Sequence, residues 1–130
     1  MSLEKKIKVL VVDDEEDFLD PISYYLGTKG YQIATAMSGA EALGSIDKED
    51  FDVVFLDVNM QPMDGFECLF EIKKRKPALP VIMLTAQNSS IREGKSKIFG
   101  AEGFLEKSLD YSQAVSLIER ILTDKNKEGV

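Results

Sequence analysis

Lys8-Val9-Leu10-Val11-Val12-Asp13-Asp14 and Val53-Val54-Phe55-Leu56-Asp57 are the two stretches that decide the fold of this chain. Each is a short apolar run that stops at carboxylates. Two further stretches share the form: Val81-Ile82-Met83-Leu84 runs into Thr85, and Gly103-Phe104-Leu105-Glu106 runs into Lys107. Short apolar runs that break at a polar residue read as strands of a parallel sheet buried on both faces. Ligands of open parallel sheets bind outside the carboxyl ends of the strands. Three carboxylates, one hydroxyl and one ammonium are therefore expected along one edge. Such a set can hold a divalent metal and a phosphoryl group together.

Helical patterns separate these strands. The first strand is placed at about 7–12 and is followed by a helix over about 17–28, which closes on Lys29-Gly30. Pro21 is expected early enough in that helix for its missing N–H to cost little. A second strand at 32–36 precedes a helix opened by Ser38-Gly39-Ala40-Glu41, which has capping-box spacing. The third strand, 53–56, leads to a helix over about 66–75 that stops before Pro77. The fourth strand, 81–84, leads to a helix over about 90–99 ending at Gly100. The fifth, 103–105, leads to a helix opened by Asp110-Tyr111-Ser112-Gln113, again capping-box-like, that buries Val115, Ile118 and Leu122. Strict strand–helix alternation predicts an α/β fold: a flavodoxin-like, doubly wound, five-stranded parallel sheet in the order 2-1-3-4-5, with helices on both faces. Its switch point lies between the first and third strands, where Asp13, Asp14 and Asp57 stand. Residues 1–130 read as a single domain with a core over about 7–122 and a polar, frayed tail over 124–130.

Composition narrows the function. Hydrophobic residues make up 44% of the 130, which excludes disorder. Acidic residues outnumber basic ones 23 to 16, for a net charge of −7, which disfavours direct nucleic-acid binding. No apolar run approaches the ~20 residues needed to span a bilayer, and no signal-peptide pattern precedes the first strand. The single Cys68 cannot form an internal disulfide, which fits a cytoplasmic location. The absence of histidine excludes histidine catalysis and a typical zinc site.

Three clustered carboxylates repel one another unless a proton or a cation intervenes. Oxygen ligands select a hard ion, and Mg2+ shares its shell readily with phosphate oxygens. Asp57, alone at its strand end, is the candidate nucleophile toward phosphorus, with an acyl phosphate as product. Asp13 and Asp14 are the candidate metal ligands, while Thr85 and Lys107 could address phosphoryl oxygens. Taken singly these residues are weak signals. The run from Asp13 to Asp17 alone would read as an acidic first helical turn, Thr85 as a strand-end cap and Lys107 as a solvated charge. Their joint placement at four strand ends is what carries the reading. Cys68 reads as core packing, and the basic run Lys73-Lys74-Arg75-Lys76 as a solvated helix end.

With these residues in view, the chain resembles the receiver domain of bacterial response regulators. The resemblance runs from about Ile7 to Leu122. It is carried by Val9-Leu10-Val11-Val12-Asp13-Asp14-Glu15, Asp57-Val58-Asn59-Met60, Met63-Asp64-Gly65-Phe66, Leu84-Thr85-Ala86 and Gly103-Phe104-Leu105-Glu106-Lys107. It implies that Asp57 is the phosphoacceptor of a two-component phosphorelay, charged by a sensor histidine kinase or a histidine phosphotransfer protein. It implies Mg2+ held by Asp13, Asp14, Asp57 and the Asn59 backbone carbonyl, with Thr85 and Lys107 sensing the phosphate. Thr85 and Phe104 would be the switch residues, acting on the face built from the helix at 90–99, the fifth strand and the last helix. Asn59 and Gln87 would tune dephosphorylation. The activity implied is self-phosphorylation and self-dephosphorylation rather than that of a conventional enzyme, and the downstream target stays open.

Two departures from the family pattern concern shape. Ser108 stands where proline usually follows the lysine in a cis bond, and Gln61 stands where proline usually follows Met60, with Pro62 one place later. Serine leaves two routes, a cis bond costing roughly 3–4 kcal/mol or a trans bond with a rearranged loop; the retained spacing from Thr85 favours cis. A phosphohydrolase of the haloacid dehalogenase type is the rival enzyme. It would need an acid two residues after the nucleophile, where this chain has Asn59, and its nucleophile would follow the first strand. An interaction module that is never phosphorylated is the rival binding protein, against which the intact acids, Thr85 and Lys107 argue. A flavin or nucleotide module would need a Gly-rich loop after the first strand, where Asp13 to Asp17 stand instead.

Overall fold

Five parallel strands form one sheet: β1 (Lys8–Val12), β2 (Gln32–Ala36), β3 (Val53–Asp57), β4 (Val81–Thr85) and β5 (Gly103–Glu106), in the order β2-β1-β3-β4-β5. This computed structural model describes residues 6–86, 100–108 and 110–128, with side chains to residue 124. The register pairs Val12 with both Ala36 and Leu56, Asp57 with Leu84, and Thr85 with Glu106. Asp13, one step past Val12, therefore stands level with Asp57. Thr85 and Lys107 each lie one step beyond a paired neighbour, so the chemistry-bearing residues share one edge. Fold class and strand order are those the apolar runs predict.

Four described helices cover the sheet: α1 (Glu16–Thr28), α2 (Gly39–Lys48), α3 (Gly65–Arg75) and α4 (Ser112–Glu128). The helix expected over 90–99 lies outside the described residues. Alternate strand residues feed two separate cores. Leu10, Val12, Val54, Leu56, Val81 and Met83 pack with Ala42, Leu43 and Ile46 of α2 and Cys68, Leu69 and Ile72 of α3. Val9, Val11, Val53, Phe55, Ile82 and Leu84 pack with Leu19, Ile22 and Leu26 of α1 and Ala114, Ile118 and Ile121 of α4. Both faces are apolar, which is why these strands read as unbroken runs. Burial pushes the Cys68 thiol up to about 12, as packing rather than redox chemistry demands.

Several local details differ from the sequence expectations. Pro21 lies in the second turn of α1, which begins at Glu16, past the first-turn positions where a missing N–H costs least. At α2, Ser38 Oγ accepts from Glu41 N at 3.1 Å, but Glu41 Oε1 reaches back to Met37 N at 3.0 Å instead of Ser38 N. At α4 the Asp110 carboxylate takes Ser112 N at 3.1 Å, an earlier partner than a capping box would use, so the helix starts at Ser112. It buries Ala114, Ile118 and Ile121, with Val115 and Leu122 partly buried, and its helical bonding continues to Glu128, into the segment expected as a frayed tail. The cis expectation for Lys107–Ser108 is overturned. Among the described residues the cis bond is Gln61–Pro62, and Lys107–Ser108 is trans. The chain turns there by side-chain bonding: Ser108 Oγ accepts from Asp110 N at 3.2 Å, and Asp110 in turn accepts from Ser112 N. A costly non-proline cis bond is unnecessary when a four-carbon lysine stem covers the remaining distance.

The turn from β3 into α3 is fixed most tightly. Asp64 Oδ1 accepts from Glu67 N at 2.9 Å and Glu67 Oε1 accepts from Asp64 N at 3.2 Å, a complete capping box. Gly65 N donates to Val58 O at 2.8 Å, which draws the helix start onto the end of β3. A Cβ at Gly65 would lie 2.1 Å from the Asp57 carbonyl oxygen and 2.6 Å from Val58 Cα. Backbone cannot yield as a flexible side chain can, so Gly65→Ala should destabilise the fold by about 2–3 kcal/mol. Urea unfolding checks this, and an unchanged midpoint would show that the approach is looser than described.

Candidate functional site

The strand ends bring the acids together without any one element supplying them all. Asp13 follows β1 and is anchored by its own backbone, since Asp13 N donates to Ala36 O at 3.0 Å. Its Oδ1 accepts from Glu15 N at 2.9 Å, which turns the chain into α1 and leaves Oδ2 to the Lys107 ammonium. Asp57 closes β3, and its Oδ1 accepts from Asn59 N at 3.2 Å. Asp13 is fully buried and Asp57 only 2% exposed, whereas Asp14 is exposed. One carboxylate oxygen from each of Asp13, Asp14 and Asp57 lies within 4.8 Å of the others.

Lys107 answers this charge. Its backbone N–H donates to Thr85 O at 2.7 Å, continuing the ladder past β5. Its Nζ stands 2.6 Å from Asp13 Oδ2, 2.9 Å from Glu15 Oε1 and 3.4 Å from Asp57 Oδ2. Burial would pull the ammonium down, but bonds to Asp13 and Glu15 and the charge of Asp57 outweigh it, and the net shift is upward. Thr85, 2% exposed, carries a hydroxyl with no hydrogen-bond partner among the described residues. An orphaned buried hydroxyl costs stability unless something else completes it. Asp14, Glu15, Asp57, Asn59, Ala86 and Lys107 line a cleft of about 460 Å3.

Most of the residues singled out from the sequence meet here: Asp13, Asp14, Asp57 and Lys107 directly, Asn59 on the rim. Thr85 lies beside them at the end of β4, and its side chain lines an adjoining hollow with Phe104, which is half-buried against the α2–α3 core. Gln87 falls outside the described residues. Glu15 was missed as a site residue, although it stands in the quoted acidic run. So was Phe18, whose ring centroid lies 5.2 Å from Lys107 Nζ. The spacing of Glu15 and Phe18, three apart on one helical turn, was the available signal.

The family model for the response regulator receiver domain matches residues 9–119. The chain belongs to the response regulator receiver family. The receiver is similar to the transcriptional regulatory protein ZraR of Salmonella typhimurium, at 36% identity over 124 residues, covering 95% of this chain and 28% of ZraR. It is also similar to the alkaline phosphatase synthesis transcriptional regulatory protein PhoP of Bacillus subtilis, at 32% identity, covering 88% of this chain and 48% of PhoP. The receiver thus spans between about a quarter and about a half of the length of these curated relatives. Among solved structures, a CheY-like response regulator receiver domain protein from Methanospirillum hungatei JF-1 superposes with a TM-score of 0.89 at 27% identity, covering 95% of this chain and 99% of that one. Among the described residues of the receiver no helix is long and apolar enough to cross a membrane.

The acids of this receiver suit a hard divalent cation. Oxygen donors converge, and among the described residues the Lys107 ammonium is the one partner of the buried Asp13 Oδ2. Burial first, then the Asp13 charge, push the Asp57 carboxyl up to about 7, against the opposing pull of Lys107 and Asn59 N–H. A raised carboxyl holds its proton more tightly folded than unfolded, so metal-free stability should fall as pH rises from about 4 to about 7. Asp57→Asn should remove that loss and be the more stable protein at about pH 8 in chelator. Thermal unfolding at about pH 5 and about pH 8 reads this directly; equal pH slopes for parent and variant would contradict it.

Proposed function

We propose that this domain is the phosphoacceptor of a two-component phosphorelay, with Asp57 taking the phosphoryl group. The observation that supports it best is a buried Asp57 carboxylate shared with Asp13 through one ammonium at the wall of an open cleft. Such a carboxylate is reachable, short of counter-charge and stripped of most of its water.

The donor is a phosphohistidine on a sensor histidine kinase or a histidine phosphotransfer protein in the cytoplasm. An Asp57 oxygen attacks phosphorus as the phosphorus–nitrogen bond breaks, and the imidazole departs with the bonding pair and takes up a proton. The product is an acyl phosphate. Asp13, Asp14, Asp57 and the Asn59 carbonyl would hold Mg2+, which supplies charge neutralisation for the transferring oxygens. Lys107 exchanges part of its hold on Asp13 for a phosphoryl oxygen. The Thr85 hydroxyl, without a partner among the described residues, donates to another. Movement of Thr85 draws Phe104 with it, since both line one hollow at the sheet edge. The outer face of β5 and α4 then changes; the helix expected over 90–99 as part of that face lies outside the described residues. Asn59 lines the cleft and cannot act as a general base, so self-dephosphorylation is slow to moderate; the tuning role that the family resemblance gives Gln87 falls outside the described residues.

Incubation with acetyl phosphate and Mg2+ should raise the intact mass by one phosphoryl group, and Asp57→Asn should abolish the rise. A full rise in that variant would place the acceptor elsewhere. Asp14→Ala should weaken Mg2+ binding by more than about tenfold in calorimetry, because water cannot replace a carboxylate at equal charge. Binding as tight as the parent's would remove Asp14 from the metal site.

A further inference from the structure

We propose that Phe18 is a positioning residue for Lys107, its ring face holding the ammonium in the cleft when the carboxylates are engaged elsewhere. The inference rests on the phosphoacceptor reading and adds to it a residue outside the acids, the hydroxyl and the ammonium. The Lys107 stem has four rotatable bonds, and the trans bond to Ser108 leaves it without a proline-fixed backbone behind it. Its ionic partners are poor permanent anchors. Glu15 is largely exposed, and exposed pairs hold little. Asp13 and Asp57 hold it more firmly, but they are the groups that a cation and a phosphoryl group would occupy.

The ring is the partner that neither can take. Lys107 Nζ lies 5.2 Å from the Phe18 centroid, inside the range of about 6 Å over which a ring face attracts a cation. Phe18 is itself braced. Its ring meets Tyr111 edge-on, with centroids 6.3 Å apart and planes at 68°, and Tyr111 lies 5.7 Å from Tyr25 of α1. Tyr111, just before α4, thus sits between two rings of α1 and braces Phe18 edge-on. Phe18 N donates to Glu15 O at 3.0 Å, so the turn that presents Glu15 to Lys107 presents Phe18 as well. One short helical turn supplies both a charged tether and an uncharged one that neither a cation nor a phosphoryl group can occupy.

The test replaces Phe18 by leucine, by tyrosine and by a series of ring-fluorinated phenylalanines, which keep the size of the ring while draining negative potential from its face. Two readouts are taken on the full chain. In the metal-free protein, NMR follows the ε-methylene signals of Lys107. They should be shifted by the ring current in the parent and move toward ordinary lysine values in Phe18→Leu. With Mg2+ and acetyl phosphate, the phosphorylation rate should fall about fivefold in Phe18→Leu and stepwise with added fluorine, while Phe18→Tyr stays near the parent and unfolding midpoints hold across the fluorinated series. Rates independent of fluorination would overturn the proposal, as would Lys107 signals that Phe18→Leu leaves in place. A parent that is not phosphorylated at all would instead overturn the reading of Asp57, and the NMR comparison would still decide the role of Phe18.

Discussion

One ammonium set against a cluster of carboxylates is the interaction on which this structure turns. Asp13 and Asp57 end adjacent strands in register and are both buried, and like charges in a medium poorer than water repel strongly. Lys107 reaches both and reaches Glu15 too, yet the Asp57 carboxyl is still pushed up to about 7. A single positive charge does not balance the site. The remaining deficit suits the cleft to a divalent cation, and under the proposed function its binding would relieve the strained ionisation of Asp57.

The rest of the fold keeps these groups from relaxing apart. Two independent cores fasten β1 and β3 from opposite faces, so the strand ends cannot splay without opening one of them. Behind Asp57, the Asp64–Glu67 capping box and the close seat of Gly65 pin the loop that carries Asn59. Beyond β5, the sequence of side-chain turns from Ser108 to Asp110 to Ser112 brings the chain back into α4. Rigid elements thereby present a site whose electrostatics are unsettled, and Thr85, its hydroxyl without a partner among the described residues, stands at the margin between the cleft and the hollow that Phe104 lines.

Much of this is legible in the sequence because parallel strands announce both their burial and their ends. Val9 to Val12 and Val53 to Leu56 are apolar without alternation because each face meets its own core, and Asp13 and Asp57 mark where the cores stop. Residues whose roles depend on contact geometry are harder to read. Gly65 looks like any glycine before a helix until the Asp57 carbonyl is found where a Cβ would sit. Phe18 looks like one more apolar position of α1, and its approach to Lys107 depends on a pairing 89 residues apart in number (107 − 18). Ser108 misled for a related reason: it pointed to a cis bond through the geometry proline would impose, whereas serine has a hydroxyl that makes the turn another way.

The most direct measurement of the central claim is a crystal structure of the protein with Mg2+ and beryllium trifluoride, a stable mimic of a carboxylate-bound phosphoryl group. The account predicts beryllium bonded to an Asp57 carboxylate oxygen, the cation among Asp13, Asp14 and Asp57, and the Lys107 ammonium and Thr85 hydroxyl each on a fluoride. Beryllium bonded to another acid, or an Asp57 mimic that Lys107 and Thr85 ignore, would contradict it.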